Sequence, residues 1–178
     1  MLLTGLLPDI STDPAIETAT DSIEAGRSGT IVAPVGIRPP LLAAVASRAA
    51  TPLVVLTATG RDAESLTNAL ASWIPGVAML PAWETLPHER LSPQVDTMAR
   101  RIAVLRRLVH PIEGDESAGP LSVLVVPIRA FLQPIISGLA DLEPVRVRTG
   151  DILDLTDVTN RLAELGYERV DMVEGRGQ

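Results

Sequence analysis

The sequence predicts an α/β fold in three layers, with a parallel sheet covered by helices on both faces. Four short apolar runs alternate with longer segments whose apolar residues recur at helical spacing. The apolar runs lack alternating polar residues, which is typical of strands buried on both sides in parallel sheets. Apolar residues make up 46% of the 178 residues but aromatic residues only 2%, so we expect a core of Leu, Val, Ile and Ala.

The first predicted helix covers residues 13–25, and the first predicted strand is Thr30–Ala33. In the helix, Ile16 and Ile23 are seven residues apart, which places them on one face. The strand is a short apolar run between glycines. A second helix is expected over 40–50, because a proline in the first helical turn loses no hydrogen bond.

The next strand and helix are predicted at Pro52–Thr57 and 61–73, and a third strand at 76–81. We expect Asp62 to cap the helix, because its carboxylate can accept hydrogen bonds from the first helical amides. The apolar residues of this helix share one face.

A longer helix is predicted over Pro93–Val109, with Ser92 as its N-cap and proline at its first position. Its apolar residues follow alternating steps of three and four and predict a core stripe of Val95, Met98, Ile102, Leu105 and Val109. The polar segment 110–120 reads as a surface loop, 121–126 as the fourth strand, and 128–135 as the start of a helix or turn.

The spacing of apolar and charged residues changes near residue 143. We therefore expect one α/β domain over 1–143 and the N-terminal part of a second, smaller α/β unit over 144–178. Segments 145–150 and 167–173 alternate apolar and charged residues, as half-exposed strands do. A helix between them is expected to stop at Gly166.

Composition excludes several classes of function. The chain has no cysteine, which excludes disulfides and thiolate metal sites. Reading the sequence shows no lysine, and the net charge of −7 opposes nucleic-acid binding by overall charge. The apolar N-terminus lacks the basic region of a signal peptide, and no apolar run approaches roughly 18 residues. We expect a cytoplasmic protein with no membrane partner.

The turn Gly36, Ile37 and Arg38 stands where a nucleotide-binding protein of this class has its phosphate loop. Such a loop needs glycines that turn amide N–H groups toward the phosphates, a lysine, and a serine or threonine for magnesium. Here one glycine is followed by Arg38, Pro39 and Pro40, and the prolines have no amide hydrogen. We predict a degenerate phosphate loop and no cofactor in this segment.

The stretch LPAWETLPHERLSP, residues 80–93, is a candidate site in a chain that has few aromatic residues. Its candidate functional residues are Trp83, Glu84, His88, Glu89 and Arg90. Glu84 and His88 could exchange protons, but no nucleophile motif is present and the two histidines are not at zinc-site spacing. The alternative is a structural or docking loop, in which the Trp83 side chain packs at the edge of the core and Glu84 forms hydrogen bonds between turns. We expect no catalytic and no metal-binding residue.

Four arginines lie on the predicted helix Pro93–Val109: Arg100, Arg101, Arg106 and Arg107. Of these, Arg100, Arg101 and Arg107 are candidates for contact with the DNA backbone. No aromatic residues are interleaved for base stacking. The other interpretation is a solvated face whose arginines pair with acids.

Three stretches resemble the N-terminal region of the bacterial transcription-repair coupling factor family. The most specific is LPAWETLPHERLSPQVDTMARRIAVLRRL at 80–108. LSVLVVPIRAFLQPI, at 121–135, is similar to the family's next strand and helix, and RLAELGYERVDMVEGRGQ, at 161–178, to a later segment. Their order and spacing agree with the family over nearly the whole chain.

The resemblance implies a P-loop-NTPase-like first domain, similar to domain 1a of UvrB but without a functional phosphate loop, over 1–143. It implies the start of a UvrA-binding type of second domain over 144–178. The parent would be an ATP-dependent DNA translocase that displaces stalled RNA polymerase at lesions and recruits nucleotide excision repair. ATP, magnesium, RNA polymerase and DNA would bind elsewhere in that parent, and UvrA would dock on the complete second domain. The alternative is a UvrB-like module that contacts duplex DNA through the Arg100–Arg107 helix.

Overall fold

The computed structural model describes residues 2–84, 94–147, 149–165 and Tyr167. In chain order, its helices and strands are α1 Leu7–Ser11, α2 Pro14–Glu24, α3 Arg38–Arg48, β1 Leu53–Thr57, α4 Gly60–Leu70, β2 Val77–Met79, α5 Val95–Val109, β3 Val123–Pro127, α6 Ile128–Phe131 and α7 Leu155–Glu164. The strands form one parallel sheet in the order β1-β3-β2. Parallel strands joined through helices confirm the α/β class.

One face of the sheet is covered by α3 and α4. Val123 and Val125 of the central strand β3 are buried there against Ala43 of α3 and against Ala63 and Leu70 of α4. Small alanines let both helices approach the sheet closely, which compensates for the scarcity of aromatic residues. The expected aliphatic core is confirmed on this face.

The opposite face is covered by α5 and α6, which contribute Val104 and Ala130 to a core with Leu124 of β3. This layer covers β2 and β3 but leaves β1 half uncovered, since Val54 and Leu56 on this face are about half exposed. The expectation that β1 is buried on both faces is therefore wrong for this face.

The strand predicted at Thr30–Ala33 is absent, so the sheet has three strands in the described ranges rather than four. This segment pairs with none of the three strands, and Val32 is 95% exposed. A strand needs a hydrogen-bonded neighbour as well as an apolar run, and the run alone could not supply that information. Because Gly36 does not follow a strand, a phosphate-loop architecture is not established by this fold.

The helix boundaries agree with the sequence within a few residues, but one cap differs. The N-cap of α4 is Thr59 and not Asp62: the Thr59 hydroxyl accepts a hydrogen bond from the Asp62 amide at 3.1 Å and donates to the Asp62 carboxylate at 2.7 Å. Asp62 therefore completes a reciprocal cap from the third helical position.

The helix predicted from Pro93 begins at Val95, after Gln94 as N-cap, while Ser92 and Pro93 lie outside the described residues. Its buried face is also rotated from the predicted stripe. The buried residues are Thr97, Arg101, Val104 and Leu105, whereas Val95 and Val109 at the ends of the stripe are exposed. Leu105 confirms part of the predicted stripe and Met98 and Ile102 are half-buried, while the interior position of Arg101 moves the buried face away from the two ends of the stripe.

Beyond residue 143 the predicted helix is confirmed as α7, which has no buried residue. The strand expected at 145–150 is not formed over Val145–Val147. Gly166 and the strand expected at 167–173, apart from Tyr167, lie outside the described residues. Within the ranges that the structure covers, no helix has both the length and the apolar character to cross a membrane.

Candidate functional site

The segment that follows β2 is held to the turn after α6 by a side-chain amide. The Trp83 N–H donates to Gln133 Oε1 at 2.8 Å, and Gln133 Nε2 donates to the Trp83 carbonyl at 3.3 Å. One amide thus satisfies both backbone groups of Trp83, as a neighbouring strand would. We call Trp83, Glu84, Thr97, Arg101, Arg129 and Gln133 the Trp83 cluster.

Arg101 lies at the centre of the Trp83 cluster and is 0% exposed. Its guanidinium carbon is 4.4 Å from the centroid of the Trp83 ring, and its Nη1 donates to the Pro81 carbonyl at 2.6 Å. Its Nε and Nη2 are buried and find no hydrogen-bond partner in the described structure. Burial lowers the pKa of Arg101 because it disfavours the charged form. The interaction with the ring only partly compensates for that desolvation.

Glu84 connects the Trp83 cluster to the first turn of α5. Its carboxylate accepts a hydrogen bond from the Thr97 hydroxyl, and its backbone carbonyl accepts one from Arg129 Nη2 at 3.2 Å. The Thr97 hydrogen bond lowers the pKa of Glu84. A general acid at neutral pH needs a raised pKa, so this environment favours a structural role for Glu84. His88, Glu89 and Arg90 lie outside the described residues, and their roles stay predictions.

The arginines of α5 do not form one solvated face. Arg101 is interior, so its proposed contact with the DNA backbone is corrected: a side chain with no accessible surface cannot reach a phosphate. Arg100 is 64% exposed and forms an ion pair with Asp96 at 2.7 Å, one helical turn earlier. Arg107 is half-buried, and its Nε donates to the Gly119 carbonyl at 2.8 Å. DNA contact by Arg100 and Arg107 stays a prediction.

The turn at Gly36, Ile37 and Arg38 is a 3₁₀ turn, Val35–Ile37, that leads directly into α3. Gly36 is not among the glycines of positive φ, so it does not use the conformation that curls a loop around an anion. Pro39 and Pro40 occupy the second and third positions of α3, and the first turn therefore lacks two of its four free amide donors.

No group of three or more histidine, aspartate or glutamate side chains is placed to hold a metal ion in the part of the chain that the structure describes. The Trp83 cluster also includes residues that sequence reasoning missed. Gln133 and Arg129 lie 50 and 45 residues from their partners in the chain, and no local pattern indicates their roles. Thr97 gives no local signal, because its partner Glu84 lies 13 residues earlier in the chain.

The fold and the site define a parallel α/β domain covered by helices, in which an aromatic–guanidinium contact links Trp83 to α5. The chain is 47% identical over 150 residues to transcription-repair-coupling factors of Mycobacterium bovis and Mycobacterium tuberculosis, and 26% identical over 140 residues to that of Escherichia coli. These matches cover 84% and 78% of the chain. No protein-family model matches it.

The matched part lies at the N-terminus of the relatives. The chain therefore belongs to the N-terminal region of the transcription-repair coupling factor family, which confirms the resemblance found at residues 80–108. It spans about 12% of the length of the curated relatives that it matches.

Proposed function

We propose that this segment is the non-catalytic part of a transcription-repair coupling factor, on the side that recruits the excision-repair machinery. The longer protein would be an ATP-dependent DNA translocase that displaces stalled RNA polymerase at lesions. The observation that carries this proposal is the 47% identity to the N-terminal part of proteins named transcription-repair-coupling factor. ATP and magnesium would bind to another part of that protein.

The absence of an ATPase role in this segment is supported by the turn before α3. A triphosphate carries several negative charges, and proteins of this class bind it with clustered amide N–H groups and a lysine. This turn offers Arg38 as its cation, while Pro39 and Pro40 remove amide donors at the start of the helix. The preceding segment is not a strand that could fix the turn at a sheet edge.

The proposed partner is UvrA, which would dock on a complete second domain, and residues 144–178 would be the N-terminal part of that domain. The domain over 1–143 would act as a UvrB-like scaffold, and the protein would work in the cytoplasm. A chain extended through the whole second domain should retain UvrA on an affinity column, while the 178-residue chain should not. Failure of the extended chain to bind UvrA would contradict the recruitment proposal.

Calorimetry with ATP and magnesium tests the non-catalytic role separately. We expect no saturable binding by the 178-residue chain. Micromolar uptake that is lost in Gly36→Ala and Arg38→Ala variants, but kept in an Arg61→Ala variant on α4, would show that the turn holds nucleotide. That result would overturn this part of the proposal and leave the family assignment intact.

The alternative role, duplex binding through α5, predicts a mobility shift of labelled DNA that weakens with salt. Charge reversal at Arg100 and Arg107 should abolish such a shift, whereas reversal of Arg161 on α7 should not. Because only Arg100 of the three candidate arginines is mainly in solvent, we expect no shift with the unmodified chain.

A further inference from the structure

The segment 138–147, which we call the strap, crosses the C-terminal end of α5. It begins at Gly138, whose φ of 82° is a conformation that favours glycine and turns the chain toward α5. Its 3₁₀ turn, Leu139–Asp141, packs against α5. The strap also contains the boundary expected near residue 143, so its attachment fixes the direction in which the chain leaves the first domain.

Charged side chains contribute to the polar contacts between the strap and the rest of the domain. His110, the C-cap of α5, places its Nε2 2.7 Å from Asp141 Oδ1. One turn earlier, Arg106 Nη2 lies 3.8 Å from Glu143 Oε1, and Arg106 Nη1 donates to the Leu142 carbonyl at 3.2 Å. Basic groups at a helix C-terminus are favourable near its negative end, so α5 offers a suitable base for an acidic strap.

A fourth contact anchors the other end of the strap. Arg146 Nη1 lies 3.1 Å from Asp115 Oδ2 in the loop that follows α5. A cleft of about 970 Å³ separates this loop, the end of α5 and the strap, and Arg106, Arg107 and Arg146 line it. The strap therefore touches the domain through the packing of its 3₁₀ turn on α5, through polar contacts at Asp141, Leu142 and Glu143, and through Arg146, and a wide cleft lies beside it.

The strength of this attachment is limited by Arg106. Its side chain is only 17% exposed, and its Nε is buried with no hydrogen-bond partner in the described structure. If the strap detached, water could reach the Arg106 Nε. This hydration would favour release and oppose the stabilisation from the charge pairs. Each exposed pair contributes little by itself, and salt screens it. The charge pairs therefore add only a small free energy to the attachment that the packing of the 3₁₀ turn provides.

We propose that the strap is an ionic latch on α5, which opens when salt screens its charges and is weakened when Asp141 and Glu143 are replaced by neutral residues. Opening would free the following chain to change its direction relative to the first domain. This inference does not depend on the proposed recruitment of UvrA, because it rests only on contacts within the chain.

Spin labels can test the latch directly, since the chain has no cysteine of its own. Labels at Ala99→Cys on α5 and Val147→Cys on the strap would report one narrow distance distribution at low salt. In an Asp141→Asn/Glu143→Gln variant, we expect the ratio of long to short distances to rise about threefold to tenfold, from two weak pairs. An Asp157→Asn/Glu164→Gln variant on α7 makes the same change of charge and should match the unmodified chain.

A salt series on the labelled chain that keeps Asp141 and Glu143 also tests the latch. This measurement does not depend on the stability of the variants. Raising the salt from about 50 mM to about 500 mM should shift the ratio in the same direction, because the screening length falls severalfold. The doubly neutral variant should respond less to salt, because it keeps only the Arg146–Asp115 pair. A broad distribution at low salt, or equal distributions in all chains and at all salt concentrations, would overturn the latch.

Discussion

Replacement of Arg101 tests whether the charge at the centre of the Trp83 cluster contributes net stability. Arg101→Met keeps a long side chain of similar volume against Trp83 and removes the buried charge. The lost Pro81 hydrogen bond contributes about 1.5–3 kcal/mol, and the lost ring interaction contributes roughly 0.5–2 kcal/mol. Against these stands the desolvation of a guanidinium with two unpartnered nitrogen atoms, which costs several kcal/mol. The two sides nearly cancel, so we expect a change within about 1 kcal/mol.

Arg101→Ala is the matched comparison, because it removes the same charge but leaves a cavity beside Trp83. By analogy with other large-to-small substitutions in cores, it should cost about 2–4 kcal/mol. Urea unfolding followed by circular dichroism measures both variants and does not rely on Trp83 fluorescence, which the substitutions would alter. A loss above about 3 kcal/mol for Arg101→Met at unchanged m-value would refute the reasoning, because the charge would then be strongly stabilising.

Three further predictions concern local structure. Thr59→Ala should lower the free energy of unfolding by about 1 kcal/mol, because the Asp62 amide loses its cap, and a thermal melt would detect the change. Gly76→Ala should cost at least about 2 kcal/mol, because φ is +72° and the new Cβ would lie 2.8 Å from the Pro120 carbonyl oxygen; an unchanged melting temperature would contradict this. Hydrogen bonds, first from Ser117, lower the pKa of Asp115 to about 2. Its stabilising contribution should therefore be present above about pH 4 and be lost as the pH falls toward about 2. The Asp115→Asn variant should show a smaller acid-induced loss of stability over that interval.

The elements that sequence reasoning identified correctly are those in which a local pattern agrees with the tertiary environment. The helix α4 has an apolar face and a cap within one turn, and β3 is an uninterrupted apolar run that becomes the fully buried central strand. Thr30–Ala33 has the same appearance as β3 but finds no neighbouring strand. The difference lies in contacts between distant parts of the chain, and a single sequence does not display those contacts.

The candidate site shows the same division between local and distant information. Trp83 and Glu84 were identified because an unusual composition surrounds them, and the structure describes a backbone contact of Trp83 and a contact of Glu84 with α5. Gln133 was not identified, because an isolated glutamine carries no signal for pairing with a backbone 50 residues earlier. Only the folded structure shows that Gln133 is the hydrogen-bond partner of the Trp83 backbone.

Arg101 is buried on α5 and contacts the segment that follows β2. When α5 is read as a solvated basic helix, Arg100 and Arg101 are equivalent neighbours that both suit a phosphate backbone. In the fold they differ completely, because successive helical residues point about 100° apart and only Arg100 faces solvent. Arg101 instead holds the Pro81 carbonyl and the Trp83 ring, so the same arginine-rich stretch that suggested DNA contact fixes the segment after β2. Residues 81–84 and α5 are therefore linked by Arg101, and a substitution at Arg101 that altered DNA binding would have to act through the position of that short segment.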